Sequence, residues 1–283
     1  MNEGTLSEAP AAFGSMASDL DADLRDFHRR WPTIRPPLRP NADVAAAVGR
    51  LLEDVAVGDD PVLLLGVTPE LATVPRRVIA VDWSADMIAI AWPGDTADRR
   101  AVIGDWKRMP IADASVAAAI GDGALTMLAW PAEQPLLFEQ LRRVIRPGGR
   151  IVIRCFATPD PCETLDAVRA DAMAGALPFH AFKQRFNMAV SVAEGLPNVA
   201  SALLHDRFEA LFPDRAALSR ASGWSFETIA EIDAYRGSRY VHCYPSRAAL
   251  LALVPGWARD VRFVETSGYP LAERCPLLVV DLP

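Results

Sequence analysis

Four short turns in the first half of the chain carry residues that could hold a nucleoside, and each follows an apolar run. The first is Gly66-Val67-Thr68-Pro69-Glu70. Gly66 permits a tight turn and the close approach of a ligand to the backbone, although a plain strand-to-helix turn would need the same residue. Thr68 suits a helix N-cap and Pro69 the first helical position, so a short helix starts here and Pro75 ends it. Sixteen residues beyond Gly66 stands Asp82, in Val81-Asp82-Trp83-Ser84. A carboxylate there can accept both hydroxyls of a ribose through charge-assisted hydrogen bonds, or simply help Ser84 cap the next helix. The third turn is Gly104-Asp105-Trp106. Its carboxylate can receive the exocyclic amine of adenine while the indole packs on the base, though an indole equally fills a core. The fourth, Gly121-Asp122-Gly123, gives the backbone freedom beside whatever lies in front of it.

These turns act together only if one scaffold brings them to the same edge. Apolar runs at 61–65, 77–81, 100–103, 116–120 and 150–156 read as strands, and 136–144 has helical spacing up to Arg146-Pro147-Gly148-Gly149. Strand–helix alternation of this kind predicts a parallel sheet with helices on both faces, whose ligands bind outside the carboxyl ends of the strands. Upstream, 1–18 reads as a mobile tail, 19–31 has helical character, and 31–41 is a proline-punctuated connector. Asn41 caps a helix with Val44, Val48, Leu51 and Leu52 on one face. Residues 159–237 are helix-rich and interrupted by three loop signals, as an insertion or cap after the fifth strand would be. A helix capped by Ser246 then leads to strands near 261–265 and 276–281, whose link is too short for a crossover and makes them antiparallel.

Bulk properties narrow the function classes. The 283 residues are 51% hydrophobic and 23% charged, enough for one large α/β domain with an inserted segment. A net charge of −7 without Lys/Arg runs argues against a general nucleic-acid binder and for a small-molecule or protein substrate. Cys155, Cys162, Cys243 and Cys275 show neither metal-ligand nor disulfide spacing and read as reduced, mostly buried thiols. The first twenty residues lack the apolar core of a signal peptide, and no run reaches the roughly 18 apolar residues of a membrane span. A cytoplasmic location is the default expectation.

In order and spacing, VLLLGVTPEL, VIAVDWSADMI, VIGDWKRMPIADASV, IGDGAL and LRRVIRPGGRIVIRCF together resemble the class I S-adenosylmethionine-dependent methyltransferase family. The segments MPIADASV and RPGGRIVI look like that family's entries into the fourth and fifth strands, and the final strand pair is similar to its closing hairpin. The resemblance covers 59–158 and 238–283. It implies a Rossmann-like methyltransferase fold: a doubly wound, seven-stranded, mostly parallel α/β sheet whose last strand is antiparallel. Residues 1–58 would be a tail and helical extension, and 159–237 a helical cap shaping the pocket of a small-molecule methyl acceptor. S-adenosylmethionine would be the cofactor. Gly66 and Thr68 match the loop cradling its methionine moiety, Asp82 the ribose-binding acid, and Trp83 and Met87 the nucleoside wall. Asp105 and Trp106 match the adenine pair, and Asp122 the residue after the fourth strand.

One departure concerns the first motif, which in the family reads acidic-apolar-Gly-x-Gly-x-Gly. Here Gly66 is its one glycine, and Leu64 stands at the acidic position. Either the loop binds in a modified way, with Thr68 and Glu70 supplying polar contacts, or the chain is a non-catalytic cofactor-binding or scaffold protein on the same fold. A nicotinamide dehydrogenase is the weakest alternative, since a pyrophosphate needs a glycine-rich loop. Candidate general bases near the cap are His180, His205, Tyr235, Tyr240 and His242, and Arg154 could pair with an anionic substrate or form a salt bridge beneath the cap.

Overall fold

A computed structural model describes residues 29–55 and 58–283. The tail expected over 1–18, and all but the end of the helix expected over 19–31, lie outside the described residues. Among the described residues, seven strands form one sheet: β1 (Val62–Leu65), β2 (Val78–Asp82), β3 (Arg99–Ile103), β4 (Val116–Asp122), β5 (Ile145–Arg154), β8 (Asp260–Val264) and β9 (Leu277–Asp281). Their spatial order is β3-β2-β1-β4-β5-β9-β8. The first five run parallel, and β9 is antiparallel to both β5 and β8, as the closing link required.

Period two sorts the strand side chains between two cores. Leu63, Leu65, Ala119, Ile151 and Ile153 face one way, against α4 (Gln134–Val144) and α10 (Arg247–Leu253). Val62, Leu64, Ala118, Ile120 and Val152 face the other, against α1 (Ala42–Leu52), α2 (Pro69–Ala72) and α3 (Ala85–Ala91). Burial on both faces is why these strands read as unbroken apolar runs. It also overrides the helix propensity of VAAAI, which lies between β1 and β5 with every side chain shielded from water. Asn41, Ser84 and Ser246 cap α1, α3 and α10, accepting from the amides of Val44, Met87 and Ala249.

β5 begins at Ile145, five residues earlier than 150–156 implied, and its register against β4 shifts between Val116 and Ala118. Gly149 is what allows this. A Cβ there would fall 2.3 Å from Ile145 Cγ2 and 2.5 Å from the Ala117 carbonyl oxygen.

After β5 the chain forms α5 (Leu165–Met173), α6 (Phe179–Ala193), α7 (Ser201–Leu211), α8 (Arg215–Ser222) and α9 (Phe226–Ile229). Their shared interior is aromatic, with Phe182 within 4.8–6.2 Å of the rings of Phe186, Phe208, Phe212 and Trp224. A two-stranded ribbon, absent from the sequence reading, closes off the second half of this segment: β6 (Asn198–Ala200), between α6 and α7, pairs antiparallel with β7 (Val241–Cys243). The Asn198 side chain ties the ribbon to the core, accepting from the Trp130 amide and donating to the Trp130 carbonyl, each at 2.7 Å.

At the carboxyl ends of β4 and β5, register partners Asp122 and Arg154 form a two-pronged ion pair, Nε–Oδ1 2.5 Å and Nη2–Oδ2 3.0 Å. The Arg154 side chain is 0% exposed and that of Asp122 4%. Nη1 also donates to the Tyr269 hydroxyl at 3.1 Å. Burial by itself lowers the guanidinium's pKa, but the adjacent Asp122 carboxylate outweighs it and raises the pKa above the ordinary arginine value.

Two stability outcomes follow. Gly149→Ala lowers unfolding free energy by about 1–3 kcal/mol, because Ile145 and the Ala117 carbonyl must both shift; an unchanged melting temperature refutes this contact. Asp122→Ala costs about 3–5 kcal/mol in urea titration by stranding a buried charge, and adding Arg154→Met to it recovers most of that loss.

Candidate active site

The carboxyl ends of β1, β2, β4 and β5 open into one cavity roofed by the helical segment, where the strand order reverses between β1 and β4. Gly66, Thr68, Asp82, Trp83, Met87, Trp106 and Asp122 all line it, so seven of the eight anticipated residues meet there. Asp105 is not among them. Its carboxylate accepts the Lys107 amide at 2.9 Å and lies 3.9 Å from the Lys107 ammonium, which itself binds Glu133 at 2.7 Å. A second hollow of about 420 Å³ lies at the opposite, amino ends of the strands and includes none of these positions.

Gly66 has φ +85°, a conformation that strains any other residue, and its amide donates to the Val81 carbonyl at 2.9 Å. A Cβ at this position would enter a gap bounded by Asp82 Oδ2 at 3.7 Å and Trp106 Cζ2 at 3.8 Å. Thr68 precedes α2 as anticipated, but its side chain makes no capping bond; the amides of Leu71 and Ala72 bond its carbonyl instead. Asp82 is buried at the end of β2, and its Oδ1 accepts the Ser84 amide at 2.8 Å, an Asx turn that fixes the carboxylate. Trp106 is anchored by its indole N–H, which donates to the Val81 carbonyl at 2.6 Å. Asp122 lines the floor with its charge committed to Arg154, which decides that arginine's role in favour of the salt bridge.

The wall under the helical segment is aromatic. Phe156, Tyr235, His242 and Tyr244 line it, together with Ser201. β7 carries His242 opposite Val199 of β6, and its Nε2 lies 3.2 Å from Ser201 Oγ. Rings of Tyr240, Tyr235 and Tyr244 surround the imidazole at 5.0, 5.9 and 6.2 Å. Burial first, then the charge of Lys183, push its pKa down to about 3, so it is neutral at physiological pH. Asn187 Nδ2 donates to the hydroxyls of Tyr244 at 3.0 Å and Tyr235 at 3.4 Å.

Of the remaining candidate bases, His180 binds Glu231 at 2.7 Å and His205 binds Asp233 at 3.3 Å, both outside the cavity lining. Tyr240 is buried against the Met127 carbonyl and does not line it either. His205, Glu209 and Asp233 place ligand atoms within 4.8 Å of one another, but the Arg215 guanidinium already binds both carboxylates. Trp31, Leu38, Phe156 and Tyr244 line the cavity without having been singled out from sequence. Phe156 carries a legible signal, since it stands at the carboxyl end of the run 150–156, where ligands of such sheets bind.

Residues 65–153 match the family model described as a methyltransferase domain. The chain is 32% identical over 146 residues to the ubiquinone/menaquinone biosynthesis C-methyltransferase of Rubrivivax gelatinosus, covering 50% of this chain and 52% of that protein. It is 33% identical over 162 residues to the demethylmenaquinone methyltransferase of Mycobacterium sp. (strain KMS), covering 56% and 62%. The chain thus spans between about half and three-fifths of the length of these relatives. A Rhodobacter sphaeroides structure described as putative zinc-dependent alcohol dehydrogenases aligns with a TM-score of 0.54 at 12% identity, over 93% of this chain and 98% of that one; this is likeness of fold alone. The domain match over 65–153, the sheet order with its antiparallel closing strand and the ordered motifs agree in one likeness: in this stretch the chain is similar to class I S-adenosylmethionine-dependent methyltransferases.

Proposed function

We propose that the chain transfers a methyl group from S-adenosylmethionine to a small acceptor with a flat, largely apolar body. The observation that carries this reading is the single cavity at the β1/β4 reversal, with Gly66 and Asp82 on one side and an aromatic wall on the other. The residues fit the cofactor: Gly66 leaves a gap between a buried carboxylate and an indole, a space that a Cβ would enter. Asp82 would hold the ribose hydroxyls, Trp83, Met87 and Trp106 the nucleoside, and Gly66 and Thr68 the methionine side. In this reading Asp105 closes its own turn and Asp122 fixes Arg154, so both shape walls rather than bind.

When bound, the cofactor supplies an activated methyl carbon on a sulfonium. The protein's contribution is then alignment, for which proximity is worth up to about 7–11 kcal/mol, and shielding from water by the helical segment. His242 serves the acceptor. With Nε2–H donated to Ser201 Oγ, its other ring nitrogen is an uncharged acceptor that can orient a hydroxyl by a hydrogen bond. The quinone substrates in the names of the matched relatives are of the chemistry this wall suits, a ring bearing oxygen.

The test is calorimetric titration with S-adenosylhomocysteine. Wild type binds, and Asp82→Asn, which keeps the Asx turn, weakens binding about 10-fold or more through loss of charge-assisted bonds. Absence of binding to wild type overturns the reading. His242→Gln leaves that affinity unchanged and lowers turnover of a hydroxyl-bearing acceptor about 10-fold through loss of the orienting hydrogen bond. Because the imidazole's pKa is depressed from 6.5 to about 3, the unfolded chain holds the extra proton between those values. Its contribution to stability is therefore present above pH 6.5 and lost as pH falls towards 3. In denaturant titrations across this window, His242→Gln flattens the pH dependence; an unaltered slope contradicts a neutral imidazole.

A further inference from the structure

Beside the glycine-poor loop lie two buried polar atoms with no partner, one a donor and one an acceptor: the Trp31 indole Nε1 and the Glu70 carboxylate Oε2. Arg39 joins them. Its guanidinium sits 5.4 Å from the Trp31 ring centroid, bonds the Trp31 carbonyl at 3.3 Å and pairs with Glu70 through Oε1. Trp31 lines the same cavity as Gly66 and Thr68, and Glu70 is two residues beyond Thr68, at the place of the motif's third glycine.

Buried polar groups are normally satisfied, and an unmatched pair of opposite kind asks for a ligand offering an acceptor and a donor together. An α-amino acid group does so, with a carboxylate for the indole N–H beside the arginine charge and an ammonium for the free carboxylate oxygen. We infer that Trp31, Arg39 and Glu70 form a clamp for the zwitterionic amino-acid end of the cofactor, replacing contacts that backbone at the missing glycines would make. This rests on the proposed function, since it is the methionine end of S-adenosylmethionine that carries such a group. The missing glycines are then the counterpart of a relocated site: an N-terminal segment folded over the loop supplies the polar groups.

The experiment compares two probes by calorimetry: S-adenosylhomocysteine, which has the amino-acid end, and 5′-methylthioadenosine, which lacks it. Trp31→Phe keeps the ring under Arg39 and deletes the N–H; Glu70→Gln keeps an oxygen for Arg39 and deletes the charge. Each should weaken S-adenosylhomocysteine by about 10-fold or more and leave methylthioadenosine within about 2-fold, with unchanged melting temperatures. Equal losses for both probes, or no loss for either, overturn the clamp while leaving the cofactor reading intact. If wild type binds methylthioadenosine as tightly as S-adenosylhomocysteine, the clamp also falls. If wild type binds neither, the cofactor reading fails and takes the clamp with it.

Discussion

A guanidinium without access to water must keep a carboxylate beside it, and the pairing of Arg154 with Asp122 sets terms for everything around it. The two residues are register partners on adjacent strands, so their separation is fixed by the sheet. Arg154 also stacks near Phe156 and Tyr269 at 5.3 and 5.7 Å, which extends the constraint to the link before β9. The floor of the cavity is therefore a charge-balanced unit. A bound ligand meets a surface whose electrostatics are already settled, and selection falls to the walls above.

Those walls have two origins. The side facing β1 and β2 is built from strand ends and first turns, which lie within the stretch matched by the methyltransferase-domain family. The opposing side comes from β7, the residues near Ala234 and the turn after β5, beside a helical segment with its own aromatic interior. Adjoining rings and a neutral imidazole make that side apolar without leaving it inert, because hydroxyls of Tyr235 and Tyr244 are oriented by Asn187 behind them.

Much of the sheet was legible because burial on both faces writes itself as an apolar run, and capping residues mark where helices begin. Even the alanine-rich β4 could be placed by the turns flanking it. The β6–β7 ribbon was invisible for a physical reason: three residues per strand are too few for alternation to show, and its pairing spans Asn198 to Cys243. Asp105 illustrates a different gap. An aspartate two residues before a lysine can bond that residue's amide or face a ligand, and local sequence is the same in both cases. His242 and Phe156 were present as letters, but only the fold distinguishes a ring on a cavity wall from His180 and His205, which are held by carboxylates elsewhere.

The ribbon also bears on how such a protein changes through descent. Ala200 and Val241 are opposite each other, so the 201–240 segment leaves and returns through one doorway. Residues can be gained, lost or exchanged between those two points while the strand ends that face the cavity from below keep their positions. Asn198, bonded to Trp130 in both directions, is the hinge-pin of that doorway. Change confined to this segment would therefore alter the roof of the cavity while leaving the strand ends beneath it intact.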